Sequence, residues 1–197
     1  MRGYEKRPIR GFNRQSKIEN QESAMGKRDI HYEAAFESYL QAKGWPYVLV
    51  DEARKTVFAN VKIKSFDFLV YSDSQPNLLV DIKGRKFPDT SRASSVRSSR
   101  AWENWVTRED VDSLGEWQQV FGQDFRAVLV FAYWLQGPPQ QAPFGDVHFF
   151  RGRHYAFVGV GLDDYAAVAR RRSDKWQTLA MPSAQFARCV KDVAAFL

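Results

Sequence analysis

Cysteine is almost missing from this 197-residue chain: Cys189 stands alone, so no internal disulfide can form and a reducing cytoplasm is the expected setting. Histidine is scarce too, with three, and no cysteine or third histidine lies at zinc spacing from His148 and His154. No stretch approaches the roughly 18 consecutive apolar residues of a membrane span. The opening residues hold no apolar segment of the secretory kind. No Gly-x-Ser-x-Gly elbow or other nucleophile motif occurs. "VGVGLDD" at 158–164 has a GxG but lacks the third glycine, and Asp163 and Asp164 would repel a phosphate there. These absences weigh against a disulfide scaffold, a membrane protein, a zinc enzyme, a covalent-nucleophile hydrolase and a dinucleotide fold.

Positive charge is present in modest excess, +6 with a pI near 9.5. Residues 1–24 carry six Lys/Arg against three acids, so half of the excess sits in a polar leader. Residues 1–28 read as a disordered basic leader and 29–197 as one domain long enough to bury a core, in a chain that is 44% hydrophobic. The excess suits a polyanionic partner, although solubility alone accounts for a charge of this size.

Tyr32, Ala35, Phe36, Tyr39 and Leu40 recur at helical spacing, between Asp29 as cap and Gly44 as stop. "YVLV" at 47–50 reads as a strand. Two more apolar runs flank the turn "SDSQPN" at 72–77. Thr107 with Asp110 resembles a capping box, opening a helix whose stripe is Val111, Leu114, Trp117, Val120 and Phe121. A strand at 126–135, a hairpin around 151–153, and helices at about 163–171 and 183–197 complete the pattern. The order predicts an α/β fold with a mixed central sheet and flanking helices.

Each run around the turn contains an aspartate. With the turn centred near Ser74, antiparallel partners sum to about 148, which sets Asp67 opposite Asp81 with Cβ atoms about 5 Å apart. The strand period puts Lys83 on their face and Phe66, Phe68, Val70, Leu78, Val80 and Ile82 on the other. Two shielded carboxylates this close need a compensating cation. Lys83 supplies one charge and a divalent ion two more. Magnesium, with manganese as substitute, takes one or two carboxylates and fills its shell with water and phosphate oxygens. It polarises a phosphodiester and lowers the pKa of a bound water. The lysine then orients or deprotonates that water, or stabilises the transition state. On a helical wheel Glu33 falls about 20° from Leu40 and Glu37 about 60°, so Glu33 is the helix residue able to share the ion.

"KSFDF", a 14-residue step from Asp67 to Asp81, "VDIKGRKF", and the helix "HYEAAFE" at 31–37 together resemble the PD-(D/E)xK nuclease superfamily, more narrowly the bacterial family named for its HYExAFE signature. The resemblance covers roughly residues 29–135; Phe66 stands where the name has proline. It implies a restriction-endonuclease-like core and metal-dependent hydrolysis of nucleic acid, DNA ahead of RNA. Catalysis would fall to Glu33, Asp67, Asp81 and Lys83, with metal ligation by Asp67, Asp81, Glu33 and the Ile82 carbonyl, and a homodimer as a common arrangement.

The Ser-rich basic stretch 83–100 places Arg85, Lys86, Arg92, Arg97 and Arg100 as phosphate contacts, with a flexible solvated loop as the alternative. Trp102 and Trp105 behind it serve either as stacking platforms or as core. Gln118 lies on the apolar side of its helix, a position where some branches of the superfamily carry a glutamine near the site; Gly122 replaces the tyrosine that accompanies it. Competing readings are a salt-bridge cluster on a solvated sheet face, a non-catalytic binding module on the same fold, and a small-molecule phosphoesterase.

Overall fold

The computed structural model describes residues 31–50, 57–58, 61–73, 76–89 and 102–197. Asp29, the basic residues Arg92, Arg97 and Arg100, and the leader lie outside them.

Helix α1 (31–43) buries Tyr32, Ala35, Phe36, Tyr39 and Leu40, the stripe the sequence predicts. It ends at Gly44, whose φ of 72° is open to glycine at little cost. The chain continues through β1 (Tyr47–Leu49), a small pair β2 (Val57–Phe58) and β3 (Val61–Lys62), β4 (Phe68–Val70), β5 (Asn77–Phe87), β6 (Val106–Thr107), α2 (Arg108–Phe121), β7 (Phe125–Leu135), β8 (His148–Phe150), β9 (Arg153–Gly161), α3 (Leu162–Val168), β10 (Arg170–Ser173), β11 (Thr178–Ala180), α4 (Ser183–Cys189) and β12 (Lys191–Asp192).

The main sheet runs β1-β4-β5-β7-β9-β12, with β8 on β9. Its two longest neighbours, β5 and β7, pair in parallel from Asn77↔Phe125 to Phe87↔Leu135, and the remaining pairs are antiparallel. The sheet is therefore mixed, as expected. β7 is apolar along nearly its whole length because both its faces are covered. On one face Phe68, Val70, Leu78, Val80 and Ile82 pack against α1; on the other, Leu79, Leu129 and Phe131 pack beneath α2, α3 and α4 with Leu114, Trp117, Leu162 and Phe186.

The turn register holds, with Phe68↔Val80, Leu69↔Leu79 and Val70↔Leu78. One expectation about the faces does not. Phe66 joins Leu79, Trp117 and Phe121 on the side opposite Phe68. The charged face is shielded as expected, and the competing reading of a solvated sheet face fails, since α2 lies over it.

The C-terminal elements are shorter than predicted. α3 stops at Val168 and the chain enters a separate three-stranded sheet, β10-β11-β6. α4 stops at Cys189, which is exposed rather than packed among apolar neighbours. His148 and His154 do not face each other; His148 pairs with Tyr155, and its Nε2 lies 3.0 Å from Ser38 Oγ.

Candidate functional site

Asp67 precedes β4, where the ladder to β5 breaks register. Its N–H donates to the Val80 carbonyl at 2.9 Å, and its Oδ2 accepts the Ile82 N–H at 2.5 Å. The side chain thus completes a backbone ladder, which fixes the carboxylate beside Asp81. Asp81 and Lys83 alternate along β5 onto the α2 face, and Lys83 Nζ lies 2.7 Å from Asp81 Oδ2. That oxygen, fully enclosed, has no other hydrogen-bond donor among the described residues.

Two participants escaped the sequence reading. Asp110, read only as half of a capping box, does cap: its Oδ2 accepts the Thr107 N–H at 2.8 Å, and Thr107 Oγ1 accepts its own N–H at 3.0 Å. Its other oxygen faces inward, 3.2 Å from Lys83 Nζ and 2.5 Å from Lys64 Nζ. Lys64 is anchored through its backbone, whose N–H donates to Ser113 Oγ at 3.3 Å and whose carbonyl accepts the Trp117 indole N–H at 2.9 Å. The capping box was the available signal for Asp110, and it spoke for the cap alone. Lys64 sits in a stretch without periodicity and gave none.

Asp67, Asp81 and Asp110 are each 5–6% exposed. Burial raises the Asp67 carboxyl well above the usual carboxylate range, and the Asp81 charge and, more weakly, the Glu33 charge push the same way against the Ile82 bond. Burial also raises Asp81, against the pull of Lys83 and Lys64. Lys83 is raised although burial alone would lower it, because Asp81 and Asp110 hold its proton. Asp110 is lowered in spite of burial, because two ammonium groups face it.

Fully ionised, Glu33, Asp67, Asp81 and Asp110 set four negative charges against the two of Lys64 and Lys83, an imbalance that a divalent cation offsets. Among the described residues, no group of three or more His, Cys, Asp or Glu side chains converges as a ligand set. Asp67 and Asp81 would offer a hard divalent ion such as magnesium the one or two carboxylates it takes.

The remaining candidates scatter. The Arg85 guanidinium donates to the Trp105 carbonyl and, at 2.6 Å, to the Gly84 carbonyl, and lies 4.0 Å from the Trp105 ring centre. Lys86 is exposed, over Trp134. Trp102 packs in the core on Phe87, Tyr133 and Phe144. Gln118 lies two turns of α2 from Asp110, where its Oε1 accepts the Ala127 N–H at 2.6 Å and ties α2 to β7. The Ile82 side chain faces α1, while its N–H serves Asp67.

No family model and no curated protein matches the chain. Among solved structures it is similar to Hjc, a Holliday junction resolvase from the archaeal hyperthermophile Archaeoglobus fulgidus, at 13% identity and a TM-score of 0.48, over 85% of this chain and 98% of that one. A likeness so slight assigns neither family nor chemistry, which have to come from the side chains themselves.

Proposed function

We propose that the chain is a magnesium-dependent nuclease of the PD-(D/E)xK kind, with a restriction-endonuclease-like core, hydrolysing phosphodiester bonds of DNA. The observation that carries this reading is that Asp67, just before β4, and Asp81 on β5 are both buried and near enough for the Asp81 charge to raise the Asp67 carboxyl, with Lys83 2.7 Å from Asp81. Asp67 and Asp81 would hold the ion, with Glu33 beside them. When bound, it supplies Lewis-acid polarisation of the phosphodiester and a more acidic water.

The protein's own groups do the rest. Lys83, kept as an ammonium by Asp81 and Asp110, donates hydrogen bonds to the attacking water or to the phosphoryl oxygens as charge builds there. Its raised pKa favours these roles over that of a base. Asp110 holds both lysines, and the Asp67 bond to Ile82 keeps the two β-strands in the register the site requires. A soluble setting in the cytoplasm and a homodimer for cutting two strands belong to the same proposal.

The test is hydrolysis of single-stranded, duplex and branched DNA, and of RNA, with magnesium or manganese. The parent is expected to cleave at least one DNA form. Asp81→Asn and Lys83→Ala should each lose about 100-fold or more, the scale of removing one electrostatic stabiliser. A parent that cleaves none of them leaves a binding module on this fold.

A further inference from the structure

The hairpin β10–β11 plays no part in the chemistry above. Residues 170–176 carry four Lys/Arg, Arg170, Arg171, Arg172 and Lys175, against the single acid Asp174, which pairs with Arg171 at 2.8 Å. All four basic residues are exposed. At the tip stands Trp176, 70% exposed, whereas the other five tryptophans are buried or half-buried. One surface indole is unremarkable by itself. An indole on a built turn, with Lys175 5.4 Å from its ring centre at the end of an exposed basic strand, is another matter.

The tip is preorganised. Ser173 Oγ accepts the Trp176 N–H at 3.3 Å, and the Asp174 carbonyl accepts both the N–H of Gln177, at 3.4 Å, and its Nε2, at 2.7 Å. Gln177 holds φ at 45°, in the left-handed region. The turn's own bonds are thus satisfied, and the indole is offered outward.

The hairpin also leads back to the candidate site. A register shift between Arg171 and Ser173 leaves Arg172 out of the ladder and swings it toward Trp105, whose ring centre lies 5.4 Å from its guanidinium. Arg85 covers the same ring at 4.0 Å, and Arg85 lies two residues beyond Lys83 on β5, on the same side of the strand. Thr178 of β11 pairs with Thr107, whose side chain caps α2 through Asp110. Arg85, next after Lys83 on its side of β5, and Arg172 of the hairpin thus share the Trp105 ring, which joins the base of the arm to the candidate site.

We propose that the β10–β11 hairpin is a nucleic-acid-binding arm: Arg170, Arg172 and Lys175 contact backbone phosphates, and Trp176 stacks on an unpaired base next to a duplex. Phosphates match the charge, and an exposed aromatic face beside cations takes a base of any identity. An anionic lipid surface shares the charge but calls for a broad apolar face, and one indole on a rigid turn does not make one. The choice of nucleic acid among polyanions rests on the nuclease reading.

The experiment titrates the full chain, in EDTA to prevent hydrolysis, against a fluorescein-labelled DNA fork with unpaired arms and against the blunt duplex, reading anisotropy over a range of salt. Trp176→Ala is expected to weaken fork binding about 5- to 100-fold while leaving the duplex within about twofold, as loss of one stacked base should. Arg170→Ala with Lys175→Ala should weaken both and flatten the salt slope by about 2. These residues are exposed, so thermal melts should match the parent. Equal fork affinity in parent and Trp176→Ala, or binding only to phosphatidylserine vesicles, overturns the arm. With magnesium, cleavage at unchanged KM in both hairpin variants also overturns it and leaves the nuclease standing. Fork binding through Trp176 by a parent that cleaves nothing keeps the arm and removes the nuclease.

Discussion

Asp67 is a carboxylate placed where charge is costly and then given a bond that its charged form strengthens. Its raised pKa has a definite sign for stability. The folded chain retains the Asp67 proton to higher pH than the unfolded chain, which releases it near the ordinary value of about 3.9, so this group's contribution falls as pH rises from there through the folded pKa. Asp110 runs the other way: its lowered pKa gives stability present above the unfolded value and lost as pH falls through the folded one. At pH 7 and without metal, Asp67→Asn is therefore expected to raise Tm, by about 2–4 °C for each kcal/mol recovered, with the gain shrinking toward pH 4, while cleavage is lost. A calorimetric scan of both chains at the two pH values checks it; a lower Tm for the variant at pH 7 would contradict the burial argument. The sequence drew attention to this aspartate by register arithmetic from the turn, but the ladder from Val70↔Leu78 to Phe68↔Val80 stops one residue short of it, and its N–H goes to the Val80 carbonyl instead. The sequence did not make Lys64 or the inward oxygen of Asp110 visible, because each meets Lys83 only after α2 has packed on the sheet.

Among the elements, α1 has the most exacting seat. A Cβ at Gly84 would lie 2.1 Å from Tyr32 Cδ2 and 2.6 Å from its Cγ, so the bare backbone of β5 is what lets the first turn of the helix approach and bring Glu33 toward Asp67. The Tyr32 ring is buried against Tyr155 and His31 and has little room to retreat. Gly84→Ala should cost about 1–3 kcal/mol in urea unfolding, the usual price of overpacking. In Tyr32→Ala the same change should cost much less, and that coupling in a double-mutant cycle identifies the contact. Helices and long strands were legible from their periods, and the Thr107–Asp110 box from its spacing. The small sheet β10-β11-β6 was not: its strands are two to four residues long, and the arginines of β10 carry no apolar alternation because they face solvent. The same shortness cut the C-terminal helix at Cys189, where β12 pairs with β9 instead.

For the molecule as a whole, a surplus of buried negative charge predicts that folding and ion binding are linked. Magnesium should raise Tm in a concentration-dependent way, by up to about 2.7 kcal/mol of stability at one hundred times its dissociation constant. The shift should vanish in Asp81→Asn, and melts across a magnesium series, with calcium as a second ion, check this without any measurement of cleavage. The parallel pairing of β5 with β7 has its own consequence. α2 is strung between those strands, so Lys83 and Asp110 meet only when a long crossover has closed. A ribosome-bound fragment ending short of Phe125 lacks β7, and with it the pairing that holds β5 in the centre of the sheet. The candidate site would then assemble late, by topology alone, only after β7 has emerged.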